Sequence, residues 1–203
     1  KNKPVRPNIK PGSVSSLLPK TPPEEAEDPE LIFSDFEKIV PDAMTHWQHP
    51  RFFAYFPSNA SVASIVAEQL VNTIAAQCML WQTSPAATEI EEVMIQWLRS
   101  ALGLPKYFSG TIHDAATTAT LSAVLTMREL ALNHSGIENG LFEQKPLRIY
   151  SSAQTHSSID KAVRLSGIGQ SNLVKIETDS NFAMRSDLLE KAILDDISND
   201  LKP

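Results

Sequence analysis

Residues 147–176 read LRIYSSAQTHSSIDKAVRLSGIGQSNLVKI, and this stretch decides the fold class. Segments 147–150 and 172–176 are short runs of branched and aromatic side chains, the pattern of buried strands. Between them, 159–165 has helical spacing and stops at Gly167, and Ser157 with Asp160 makes a capping-box pair at its start. A further helix is expected over 187–194, with Ser186 as its cap. Strand, helix, strand, helix at this spacing predicts a parallel sheet covered by helices, an α/β fold.

Outward from there, 116–132 reads as an Ala-, Thr- and Leu-rich helix that fades before 133–136. Upstream, Thr88 with Glu91 makes a second capping-box pair after the break at Thr83-Ser84-Pro85. The helix it starts has the apolar face Ile90, Val93, Met94, Trp97, Leu98 and Ala101, with Gly103 at the C-terminal cap. Segment 61–80 is helical, with the stripe Val62, Ile65, Val66, Leu70 and Ile74. Residues 29–40 place Leu31, Ile32, Phe36, Ile39 and Val40 at helical spacing, and Pro41 stops the pattern. Between these two helices, HWQHPRFFAYFP (46–57) holds five aromatics bracketed by Pro50 and Pro57, a stiff aromatic loop or short strand. Seven of the fourteen prolines fall within 1–29. Each fixes φ and lacks a donor N–H, so this stretch reads as an extended arm, wrapped on another surface or hanging as a tail.

Composition narrows the function classes. With 203 residues, 42% hydrophobic and 21% charged, a folded core is expected and global disorder is not. No apolar run is long enough to cross a membrane, and no basic region precedes an apolar stretch, so neither a membrane anchor nor a signal peptide is expected. The net charge of −6 and the lack of a basic stripe argue against nucleic acid as a partner. Cys78 is the sole cysteine, which excludes an internal disulfide framework and fits a reducing, cytoplasmic setting.

Several residues could bear chemistry. Segment 111–120 (TIHDAATTAT) leads into a helix whose first N–H groups and positive dipole end suit an anion, with Thr117 and Thr118 as hydroxyl donors; sequence chemistry alone favours an ordinary Ala/Thr-rich helix start in a packed core. No Walker or G-x-G-x-x-G pattern points to a nucleotide. His156 follows a strand and precedes a helix, where α/β proteins bind ligands, and its imidazole could stack on a flat ring or move a proton; a surface-loop histidine has the same signature. His46 and His49 have a metal-compatible spacing, but Pro50 argues against the helix it would need, and no metal is expected. No G-x-S-x-G elbow marks a hydrolase. The aromatic segment is either core or the wall of a pocket for a flat apolar ligand.

Six stretches in order, HWQHPRFFAYFP (46–57), LWQTSPAATEIE (80–91), WL (97–98), LGLP (102–105), GTIHDAATTATL (110–121) and THSSIDKA (155–162), together with PG (11–12) and LLP (17–19) in the arm, resemble the group II pyridoxal-phosphate-dependent amino-acid decarboxylases, closest to the aromatic-L-amino-acid branch. The resemblance implies the fold-type I aminotransferase-like architecture, pyridoxal 5′-phosphate as cofactor, and a homodimer. It implies an arm, aromatic loop and helical dimerisation or substrate segment over 1–84, then the first, incomplete part of the large cofactor-binding domain over 85–203. It puts Ala116 and Thr117 at the cofactor phosphate, His156 on the pyridine ring as a catalytic residue, and Ser157 beside it. Trp47, Tyr55, Phe56, Pro57 and Ser58 match the substrate-pocket segment. Met79 stands where several relatives place an aromatic or small residue reached across the dimer interface, a departure that bears on which substrate is used.

The resemblance also implies a lysine after a histidine and an aspartate in an Asp-x-Ala pattern at a later strand end. The chain has no His-Lys pair, and its Asp114-Ala-Ala and Asp160-Lys-Ala already belong to other motifs. The expectation is therefore an N-terminal portion of a carboxy-lyase of amino-acid metabolism, a fragment or one half of a nicked chain. The amino acid is expected to be aromatic. Alternatives are glutamate, cysteine sulfinate or diaminobutyrate, for which Arg51 is the nearest cation in the aromatic segment, or an inactive fragment serving as a dimerisation module.

Overall fold

The computed structural model describes residues 3–56 and 60–203. By contacts the chain divides into two units, 1–76 and 77–203.

In the first unit the described residues of the proline-rich arm form no strand or α-helix before Pro29; the arm turns over 11–14 and then forms a 3-10 turn over Ser15–Leu17. It is tied back where the His46 N–H donates to the Val5 carbonyl at 2.9 Å and where Lys3 pairs with Asp42. Helix α1 (Pro29–Ile39) begins with Asp28, whose side chain accepts from the Glu30 N–H, and with Pro29 in the first turn, where its missing donor costs nothing. Segment 46–56 forms turns rather than a strand. Helix α2 (Val62–Ile74) opens with a reciprocal Ser61–Ser64 capping box. It ends six residues before the expected limit of 80, because Ala75 turns left-handed at φ 48 and closes it.

In the second unit, helix α3 (Pro85–Ala101) starts three residues ahead of the expected Thr88 cap. Ser84 and Pro85 begin it instead, since Pro suits a first helical position, and the Thr88 hydroxyl bonds back to the Ser84 carbonyl at 3.1 Å. Gly103 follows the C-cap with φ +67, the left-handed turn the sequence asked of it. Helix α4 (Ala116–Ala131) is followed by a one-turn helix α5 (Ser135–Asn139) that the sequence does not announce. Strands β1 (Ile149–Ser152) and β2 (Leu173–Ile176) pair in parallel with Ile149 opposite Leu173. Helix α6 (Ser158–Leu165) crosses between them, and α7 (Ser186–Ser198) starts at Ser186 itself, with Arg185 as its N-cap. After α7, Lys202 pairs in parallel with Leu147, just ahead of β1.

The expected Ser157–Asp160 capping box does not form. Asp160 reaches away from it, accepting from Lys175 Nζ at 3.1 Å and Gln170 Nε2 at 3.0 Å. Burial is concentrated where α4 and α6 pack together. Val124, Leu132, Leu147, Ala162, Val163, Ile168 and Leu173 form one cluster, with Ala162 and Val163 fully buried. Each large member contributes on the order of 1.5–3 kcal/mol by leaving water. Among the described residues, α1, α2 and α3 bury none of theirs. No helix of the described residues is long and apolar enough to cross a membrane.

Candidate functional site

The start of α4 is built to be open. Its N-cap, Ala115, is extended at φ −150 and has no side chain that could cap the turn. The first N–H groups of a helix have no partner within it, so this turn offers donors and a partial positive charge. The two candidate hydroxyls are not equivalent. Thr118 Oγ1 donates to Asp114 Oδ1 at 2.6 Å and lies 2.7 Å from the Ala115 carbonyl, whereas the Thr117 hydroxyl has no partner among the described residues. Thr118 is therefore engaged locally and Thr117 is available. The Thr118 hydroxyl also holds the Asp114 carboxyl below the usual range.

The start of α6 lies beside it. Thr120 Oγ1, one turn into α4, is 3.3 Å from Ser158 Oγ, the first residue of α6, and also bonds the Ala116 carbonyl. His156 is delivered to this place by β1 and the turn that follows, where the Thr155 N–H meets the Ser152 carbonyl at 3.2 Å. Its ring is exposed, and Nδ1 accepts from the Ser158 N–H at 3.2 Å. His156 thus does the capping that Ser157 was expected to do; Ser157 is exposed and makes no cap bond. With Nδ1 an acceptor, the neutral imidazole bears its proton on Nε2. A helix start without a side-chain cap and an exposed imidazole stand at the heads of two packed helices.

The aromatic segment lies in the first unit. Trp47 is 5.5 Å from Tyr55 with rings nearly stacked, and 4.9 Å from Phe52. Tyr55 has φ 57, an unusual conformation for a bulky residue and one that costs free energy. Trp47 also lines an open groove of about 620 Å³ with Lys3, Met44, His46 and His49. Phe56 is fully exposed, and Pro57 and Ser58 lie outside the described residues. His46 and His49 are joined by a backbone bond, His49 Nδ1 accepts from the Arg51 N–H, and no metal-binding cluster occurs among the described residues.

Met79, in the second unit, is exposed and lines a cavity of about 280 Å³ with Cys78, Trp81, Thr88, Glu91 and Thr111. Here lies the interaction that sequence reasoning missed. Glu91 Oε1 accepts from Thr111 Oγ1 and from the Ile112 N–H, each at 2.8 Å. These bonds hold its carboxyl below the usual range, the Ile112 N–H most strongly and the Thr111 hydroxyl next. In the sequence Glu91 shows as the capping-box partner of Thr88 and as one of three carboxylates at 89, 91 and 92, which also describe a solvated helix face.

A family model described as the pyridoxal-dependent decarboxylase conserved domain matches residues 11–203. Phenylacetaldehyde synthase of Arabidopsis thaliana is 36% identical over 98% of the chain and 42% of its own length. Aromatic-L-amino-acid decarboxylase of Mus musculus is 37% identical over 99% of the chain and 44% of its own length. The crystal structure of Oryza sativa TDC with PLP and tryptamine superposes with a TM-score of 0.90 at 32% identity, covering 98% of this chain and 42% of that one. The chain thus spans less than half the length of the relatives it matches.

Proposed function

The chain belongs to the pyridoxal-dependent decarboxylase family, and from that premise we propose that it is the N-terminal portion of an L-amino-acid decarboxylase acting on aromatic amino acids, releasing carbon dioxide and an amine. Pyridoxal phosphate is the cofactor of this family. When bound, it supplies the electron sink for the pair left behind as the carboxylate departs. The observation that carries the reading is the meeting of α4 and α6: an uncapped helix start beside a histidine with one ring nitrogen fixed. The residues present fit the cofactor, since its phosphate needs N–H and hydroxyl donors and its ring needs a flat partner.

In this reading the first turn of α4 at Ala116 and Thr117 donates to the phosphate, with the Thr117 hydroxyl as the side-chain donor. The His156 imidazole lies on the pyridine face, with Ser157 beside it, and its Nε2 proton is the one it can give to a group on the substrate side. Trp47, Tyr55 and Phe56 are proposed as the aromatic wall against which a ring-bearing substrate excludes water, with Pro57, Ser58 and Met79 as further substrate-binding residues. Segment 1–84 supplies the arm, that wall and a helical dimerisation surface, and 85–203 supplies the first part of the cofactor domain. The enzyme is a cytoplasmic homodimer, and its cofactor-bonding lysine comes from polypeptide other than these residues.

The test is a substrate panel on the full-length protein with pyridoxal phosphate: dopa, tyrosine, tryptophan, glutamate, cysteine sulfinate and 2,4-diaminobutyrate, measuring carbon dioxide, amine and aldehyde. Carbon dioxide with amine from the aromatic acids is the expected result. Faster turnover of the acidic or diamino substrates would overturn the substrate class. Aldehyde in place of amine would overturn the reaction outcome, and no carbon dioxide from any of them would remove the assignment as a decarboxylase.

A further inference from the structure

Only three residues, 113–115, separate the segment gripped by Glu91 from the first residue of α4. Fixing Thr111 and Ile112 therefore fixes where α4 begins and which way its first N–H groups point. Among the described residues no side-chain cap does so, because Ala115 supplies none and the Asp114–Thr118 bond is internal to the turn. The loop also lies on α3 at Gly110, where an added Cβ would sit 3.9 Å from Ile95 Cδ1. Glu91 borders the cavity that Met79 lines, so one carboxylate adjoins both a candidate substrate residue and the root of the phosphate turn.

We propose that Glu91 is a positioning residue for the cofactor phosphate, acting through Thr111 and Ile112 on the first turn of α4. The inference rests on the function proposed above. It differs from a general role in stability in one respect: its effect falls on the phosphate alone, because the pyridine ring is held from α6 by His156.

The experiment compares dissociation constants of pyridoxal phosphate and of pyridoxal, which lacks the phosphate, for the full-length apoprotein by absorbance titration. Glu91→Ala is expected to weaken pyridoxal phosphate about tenfold, the size of losing a charged acceptor with two donors, and to change pyridoxal less than about twofold. Glu91→Gln retains an oxygen that can accept both bonds and is expected to recover most of the loss. Thr111→Val, which removes one of the two bonds from an exposed loop, is expected to weaken pyridoxal phosphate about threefold and serves if Glu91→Ala does not fold. Equal weakening of both ligands, or an unchanged ratio between them, would overturn the positioning role while the wild type still binds the cofactor. A wild type that binds pyridoxal phosphate no better than pyridoxal would instead remove the functional reading on which the inference stands.

Discussion

His156 presents one ring nitrogen to its own backbone and the other outward, and the two duties proposed for it separate by substitution. In the full-length protein, His156→Ala removes both the flat face and the Nε2 proton, and kcat/KM is expected to fall by at least about a hundredfold. His156→Phe retains the flat face, so cofactor affinity should stay within a few fold while turnover remains depressed; full turnover in that variant would exclude a proton role. A second residue-scale prediction concerns Tyr150, whose hydroxyl donates to Asp196 at 2.6 Å while Arg148 Nε reaches the same oxygen at 3.1 Å. Tyr150 holds the Asp196 carboxyl below the usual range, with Arg148 helping; burial first, and then Asp196, pushes the Tyr150 hydroxyl up. A lowered folded value makes stability present above about pH 4 and lost as pH falls through it; a raised one makes stability present below about pH 10 and lost as pH rises. Denaturant midpoints measured across pH should therefore fall at both ends, and Tyr150→Phe should remove the alkaline fall.

At the scale of elements, the order of helices and strands was legible, α5 apart, because apolar spacing and Pro or Gly punctuation mark the others. The ends were less so, for a reason visible in two carboxylates. Glu91 and Asp160 each stand three residues after a Thr or Ser, the spacing of a capping box, yet each bonds elsewhere: Glu91 to the loop at Thr111 and Ile112, Asp160 to Lys175 and Gln170. A local pattern cannot reveal a better partner brought close only by folding. The candidate site divides in the same way. Thr117 and His156 could be singled out by their place beside a helix start and a strand end. That Thr118 is engaged by Asp114, or that His156 rather than Ser157 caps α6, depends on rotamers no spacing encodes. The packing of α4 on α6 gives this scale its prediction. Leu132 is 4% exposed in a small buried cluster, so Leu132→Ala is expected to cost about 2–5 kcal/mol, read as a lowered thermal midpoint.

For the molecule as a whole, the distribution of apolar surface is uneven. The stripe Val62, Ile65, Val66, Leu70 and Ile74 on α2 is exposed, Ile74 at 70%, as are Ile90, Trp97 and Leu98 on α3. Apolar faces of that extent suit an interface such as that of the proposed dimer. A polypeptide of these residues alone is expected to sediment as a dimer or larger species at micromolar concentration, and replacing Ile65, Leu70 and Ile74 with Glu should shift it toward the monomer. The buried cluster, by contrast, draws every member from between residues 124 and 173, and the paired strands are 24 residues apart in register. Closing so short a loop costs little entropy, whereas the exposed helices gain their burial only from another surface. During synthesis, at roughly 5–20 residues per second, the α4–α6 core should therefore consolidate soon after Ile176 leaves the ribosome. Ribosome-stalled chains probed by brief proteolysis should show 116–176 protected while the segment before it is still cut. The part that holds the candidate cofactor site would then be ordered while the polypeptide is still being made, and the waiting apolar helices are the stretch a chaperone would have to shield.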